Sequence, residues 1–227
     1  MTPVEADTPQ GEVAPADVRQ KAATRSPLAQ LLHALNQPLT GLQCSMEVAL
    51  ACPRTIEQYV HGLRQGLELT ERMRALVEAI REVADINAEQ APQIETTTLA
   101  SLLPEAVDDL RPVAEAKNVR IALDFACPSL LRVTGHQPPL YAVIFRLLDS
   151  TLSMAGAGTV LRIEGGLGTS QVWFHIQWHA EAPRSTFLRP DLGLLIAQAW
   201  LERVGATWER EVTDELETLT VRLPRIS

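Results

Sequence analysis

The chain has 227 residues, with 28 acidic and 20 basic side chains and a formal charge of −8 spread along its length, which argues against nucleic acid as the main partner. Hydrophobic residues make up 46% and aromatics 4%, enough apolar material for one or two domains packed on Ala, Leu and Val. No run of about 18 apolar residues predicts a membrane span, no secretory pattern opens the chain, and Cys44, Cys52 and Cys127 lack metal-site spacing, so a cytoplasmic protein without a metal is expected.

Residues 1–24 are rich in Pro, Ala, Glu and Asp and poor in large apolar side chains, the composition of a disordered tail. Residues 25–90 read as a helical hairpin. Ser26 stands at a capping position and Pro27 at the first helical position, where proline is favoured. Leu28, Leu31, Leu32, Leu35, Leu39, Leu42, Met46 and Leu50 then recur at spacings of three and four, predicting one apolar stripe. "ACPR" breaks the pattern. Thr55 with Gln58 three residues on makes a capping box for a second helix. There Ile56, Val60, Leu63, Leu67, Thr70, Met73, Val77, Ile80 and Ala84 form a coiled-coil-like seam. A lone hairpin buries too little, so a homodimer forming a four-helix bundle is expected.

The polar segment "NAEQAPQ" predicts a domain boundary, and residues 91–227 change periodicity. A short strand and a helix ending near Asn118 come first, followed by "VRIALDF" and "LLRVTG" as strands. "QPPLYAVIFRLLDSTLSMAG" reads as a helix, and "TVLRIEGG" with "QVWFHIQWH" as a strand pair. A helix stopped by Gly205 and a closing hairpin follow. This order predicts an α/β sandwich, one mixed sheet with helices on one face. "EGGLGTS" resembles a phosphate loop but joins two strands, so it reads as a hairpin turn. His175 and His179 share a strand face without ligand-spaced neighbours, and read as solvated or edge positions. Cys44 and Cys52 read as packing residues, His61 as solvated, and the four tryptophans as core or pocket filling. The charges of "ELTERMRALVEAIRE" read as a solvated face with i,i+4 pairs.

"HALNQPLT" on the first helix, with a sandwich downstream, resembles the bacterial two-component histidine kinases, closest to the branch whose motif reads H-E-x-N-Q-P-L. The resemblance covers about residues 26–224. It implies a dimerisation and histidine-phosphotransfer bundle followed by a fold shared with the gyrase and heat-shock ATPases. It implies that His33 is the phosphoacceptor, that Gln37 and Asn36 shape the docking site, and that the partners are response-regulator receiver domains. The chemistry is sound on its own terms: a neutral imidazole nitrogen can attack phosphorus, and a proline five residues on bends the helix.

The sequence departs from that pattern where ATP would be used. The residue after the phosphoacceptor, an acid in the family, is Ala34, which accepts no proton. The paired asparagines of the nucleotide helix are replaced at Arg146 and Ser150, with Asp149 beside them. The adenine-reading D-x-G-x-G positions carry Trp178, Ala180 and Ala182; of the glycine loop only Gly193 remains, with Asp191 beside it. A degenerate nucleotide site and no cofactor are therefore expected. The function expected is a phosphorelay in which His33 exchanges phosphate with receivers. The alternatives are an active kinase using ATP and Mg²⁺, or a non-catalytic scaffold or phosphatase-like module that docks receivers.

Overall fold

The computed structural model describes residues 26–88, 96–125, 132–134, 137–179, 191–213 and 216–225. The expected tail, Cys127, Ala180 and Ala182 lie outside the described residues.

Two long helices form the hairpin, α1 (Pro27–Ala51) and α2 (Ile56–Ala88). Pro27 opens α1 as expected, but Ser26 makes no side-chain capping bond. The capping box of α2 is formed in both directions: Gln58 N donates to Thr55 Oγ1 at 3.3 Å and Thr55 N donates to Gln58 Oε1 at 3.1 Å. Small residues set how close the helices come. A methyl at Gly66 would lie 3.3 Å from Leu42 Cδ1, and one at Gly41 3.6 Å from Leu69 Cδ1.

The sandwich begins with β1 (Thr96–Thr98) and α3 (Leu99–Ala116). Asn118 ends α3 in the left-handed region at φ 55°, and Val119 N reaches back to Ala114 O at 2.9 Å. Next come β2 (Arg120–Phe125), β3 (Arg132–Thr134), α4 (Gln137–Met154), β4 (Val160–Leu167) and β5 (Gln171–His179). The chain closes with α5 (Leu192–Arg203), stopped by Gly205 at φ 70°, then β6 (Thr207–Val212) and β7 (Leu216–Pro224). The main sheet has the order β2-β4-β5-β7-β6, parallel at β2–β4 and antiparallel elsewhere. β1 and β3 make a separate antiparallel pair, which the sequence reading did not foresee.

Alternation on β5 shows why the helices cover one face. Val172, Phe174, Ile176 and Trp178 are buried among α3, α4 and α5, whereas Trp173, His175 and Gln177 are half-buried on the other side. Two adjacent glycines of β4 are required by aromatic cover. A methyl at Gly165 would lie 2.8 Å from Phe125 Cδ1, and one at Gly166 2.6 Å from Trp173 Cζ2. "EGGLGTS" is thus strand as far as Leu167, and the turn closes with Gly168 N donating to Gln171 O at 2.7 Å.

Within the single chain the hairpin buries only part of its apolar surface. Leu31, Ala34 and Pro38 are the buried core of α1, and Leu76, Ala79, Val83 and Ile86 that of α2. The expected stripe and seam instead leave Leu32, Leu39, Met46, Leu50, Ile56, Val60, Leu63 and Leu67 exposed in the single chain. Cys44 and Cys52 are exposed rather than packed, because both lie off the buried face. His61 is exposed as expected, and the ion pair on the charged face of α2 is Glu71–Arg74, at i,i+3 rather than i,i+4.

Candidate functional site

His33 lies in the second turn of α1 with its side chain exposed. Helical residues turn by about 100° each, so His33, Gln37 and Thr40 line one face, and all three are exposed. Asn36, between that face and the exposed leucines, is also open. Pro38 lacks an N–H, so the Ala34 carbonyl loses its helical donor. Thr40 Oγ1 adds a bond to the Asn36 carbonyl at 2.9 Å just beyond that gap. The result is an exposed imidazole on a helix whose other side is fixed and whose backbone ladder has one missing rung.

Ala34, about 100° further round the helix, faces inward. It is 4% exposed and belongs to the buried cluster that joins Leu31, Leu76, Ala79 and Val83 of the hairpin to Leu195, Ile196 and Ala199 of α5. It is the one residue in the motif that departs from the kinase pattern, and here it is an interdomain packing position.

The remnant nucleotide residues each have an internal partner or burial, except Asp149. Arg146 Nη2 donates to Glu82 Oε1 of α2 at 2.7 Å, so it reaches out of the sandwich to the hairpin. Asp149 is exposed, and Ser150 beside it is buried. Ser150 Oγ donates to Asp191 Oδ1 at 2.8 Å, and the same oxygen accepts from Leu194 N at 3.0 Å. Asp191 is therefore the N-cap of α5, and its carboxylate takes the place where the first turn of a helix would otherwise receive an anion. Gly193 lies against this cap: a methyl there would meet Ser150 Oγ at 2.8 Å.

Trp178, expected from the resemblance at the adenine-reading position, is 0% exposed. The Arg210 guanidinium lies 6.0 Å from its ring centroid, and Arg210 Nε donates to Glu217 Oε2 at 2.9 Å. Among the described residues the indole Nε1 has no hydrogen-bond partner, and the ring contributes by its buried volume. The structure thus brings Ser150, Gly193 and Asp191 together, buries Trp178 in the core and turns Arg146 toward α2. It keeps His33, Gln37 and Asn36 on the exposed side of α1. Among the described residues no group of three His, Cys, Asp or Glu is placed to hold a metal.

Sequence reasoning missed Glu82 and the outward face of α5. The signal was present: "LGLLIAQAW" is apolar all round, as expected of a helix covered on two sides.

No protein-family model matches the chain. In sequence it is 25% identical, over 137 residues or 60% of its length, to the sensor protein IrlS of Burkholderia pseudomallei. That match spans 29% of the relative, so the chain covers under a third of it. Among solved structures, histidine kinase ThkA in complex with response regulator protein TrrA aligns with a TM-score of 0.60 at 14% identity, over 87% of this chain and 60% of that one. Full-length ShkA in complex with AMPPNP aligns with a TM-score of 0.58 at 14% identity, over 89% and 47%. At these identities the structural matches establish the fold, a helical hairpin followed by a histidine kinase-type sandwich. No helix among the described residues is long and apolar enough to cross a membrane.

Proposed function

We propose that this chain, which belongs with the two-component histidine kinases, is a homodimeric histidine phosphotransfer protein that works without ATP. A ring nitrogen of His33 attacks the phosphorus of an aspartyl phosphate on a receiver domain. The nitrogen–phosphorus bond forms, the phosphorus–oxygen bond breaks, and the aspartate leaves as a carboxylate while the imidazole proton passes to solvent. The reverse step hands the group to the aspartate of a second receiver. Gln37 and Asn36, exposed beside His33, contact the docked receiver.

The observation that carries this reading is the contrast between exposed His33 and buried Ala34. The nucleophile is open to a partner, and no carboxylate stands next to it to take its proton during attack on ATP. Support for the absence of nucleotide comes from Trp178, which is buried in the core, from Asp191, which caps α5, and from Arg146, which pairs with Glu82. Homodimerisation is supported by the exposed row of Leu32, Leu39, Met46, Leu50, Ile56, Val60, Leu63 and Leu67, side chains that a hairpin alone leaves in water.

The test compares two phosphoryl sources, labelled ATP with magnesium and a labelled phospho-receiver. Label should reach His33 from the receiver only and vanish in His33→Gln. Label from ATP would overturn the reading in favour of a kinase. Receiver binding with no label from either source would overturn it in favour of a scaffold.

A further inference from the structure

Two of the positions where the sequence leaves the kinase pattern are also positions where the two domains meet. Ala34 is buried in the cluster that also holds Leu195, Ile196 and Ala199 of α5, and Arg146 reaches across to Glu82 on α2. Between them, α5 belongs to two cores at once. Leu194, Ala197 and Leu201 face the sandwich interior, while Leu195, Ile196 and Ala199 face the hairpin. A helix with both faces buried in different domains cannot leave one of them without exposing apolar surface to water.

We infer that α5, Ala34 and the Arg146–Glu82 pair form an interdomain lock that makes hairpin and sandwich one rigid body and braces α1 behind His33. Leu195, Ile196 and Ala199 seat the sandwich on α1 and α2, and the ion pair closes the edge of that contact. Ala34 is a small residue of that cluster, and a larger side chain would need space that a 4% exposed site lacks. The brace falls where it matters. Pro38 has removed a backbone bond at Ala34, and the packing of Leu31, Ala34 and Pro38 holds the segment that the ladder no longer holds. The sandwich therefore contributes position rather than nucleotide chemistry, and it does not travel to the histidine. The inference stands on packing and does not require the phosphotransfer reading.

The experiment measures hydrogen exchange and thermal unfolding in the full chain, neither of which depends on phosphoryl transfer. Its variants are Ile196→Asp, Glu82→Arg, and the swap Glu82→Arg with Arg146→Glu. In the unmodified chain, hairpin and sandwich should melt in one transition. In Ile196→Asp, amide protection across residues 31–37 should fall at least tenfold, while Phe174 and Ile176 in the sheet keep theirs. Glu82→Arg should lower the same protection a few-fold, and the swap should restore it. Unchanged protection at 31–37 in Ile196→Asp, or two separate transitions in the unmodified chain, would overturn the lock. If Phe174 also loses protection, Ile196→Asp has unfolded the sandwich and the swap series decides: restoration supports the lock and its absence overturns it.

Discussion

Replacing Ala34 by glutamate restores the acid that the kinase pattern carries, and the structure predicts that it damages the protein rather than activating it. The new carboxyl would sit at a position 4% exposed, among Leu31, Leu195, Ile196 and Ala199. An uncompensated charge in such a place costs about 3–5 kcal/mol, on top of the strain of extra volume. For a chain of this size, each kcal/mol moves the melting temperature by roughly 2–4 °C, so a fall of about 6 °C or more is expected at pH 8. The sign with pH follows from burial. The glutamate's pKa in the folded state lies above its unfolded value of about 4.3, so the folded state holds the proton longer. The penalty is smallest below pH ~4.3 and grows as pH rises toward the folded pKa. Melts of Ala34→Glu and of the neutral control Ala34→Gln at pH 5 and pH 8 separate the charge from the volume. A melt of Ala34→Glu within about 2 °C of the unmodified chain at pH 8, or label from ATP on its His33, would refute a packing role for Ala34.

His33→Gln should abolish phosphoryl acceptance from a receiver while shifting stability by no more than about 0.5 kcal/mol, because the side chain is exposed; a denaturant titration alongside the transfer assay checks both. Trp178→Ala removes the largest fully buried side chain and should cost about 3–5 kcal/mol in the same titration. For His175, burial is the main cause holding its pKa below the ordinary value, opposed by Glu164 and assisted by Arg222. A depressed histidine contributes stability that is fully present above pH ~6.5 and is lost as pH falls through the folded pKa. The loss of stability from pH 7.5 to 5.5 should therefore be smaller in His175→Gln, and a ring-proton titration by NMR should find His175 below the usual value.

The elements were readable in the chain because their signals are local. The Thr55–Gln58 box, the stop at Asn118 and the alternation on β5 each depend on a few neighbouring residues. What was not readable was which apolar face meets which partner. On α1, leucines at spacings of three and four span two adjoining faces, one covered by α2 and α5 and one exposed, and periodicity merges them. Ala34 was visible as a missing acid but not as a packing residue, because a small apolar side chain carries no mark of the helix that covers it. The Arg146–Glu82 pair joins residues 64 apart, and no spacing rule reaches that far.

The residues expected at the nucleotide site support one more quantitative expectation. A nucleotide seated among Ser150, Arg146 and Trp178, where the kinase pattern would place it, must undo contacts that the chain already makes. It must free Ser150 from Asp191, a hydrogen bond to a charged group worth about 1.5–3 kcal/mol. It must draw Arg146 from Glu82, a half-exposed pair worth about 0.5 kcal/mol after solvent screening. It must also move Trp178 out of a core site, at about 3 kcal/mol or more. Together these come to at least about 5 kcal/mol, or more than three decades in affinity at about 1.4 kcal/mol per decade. A nucleotide that would bind such a fold at about 10 μM then needs about 10 mM or more. Calorimetric titration with a non-hydrolysable ATP analogue and magnesium should give no saturable heat up to about 1 mM. Saturation below about 100 μM would mean that these contacts open at little cost, and the nucleotide-free reading would fall with them.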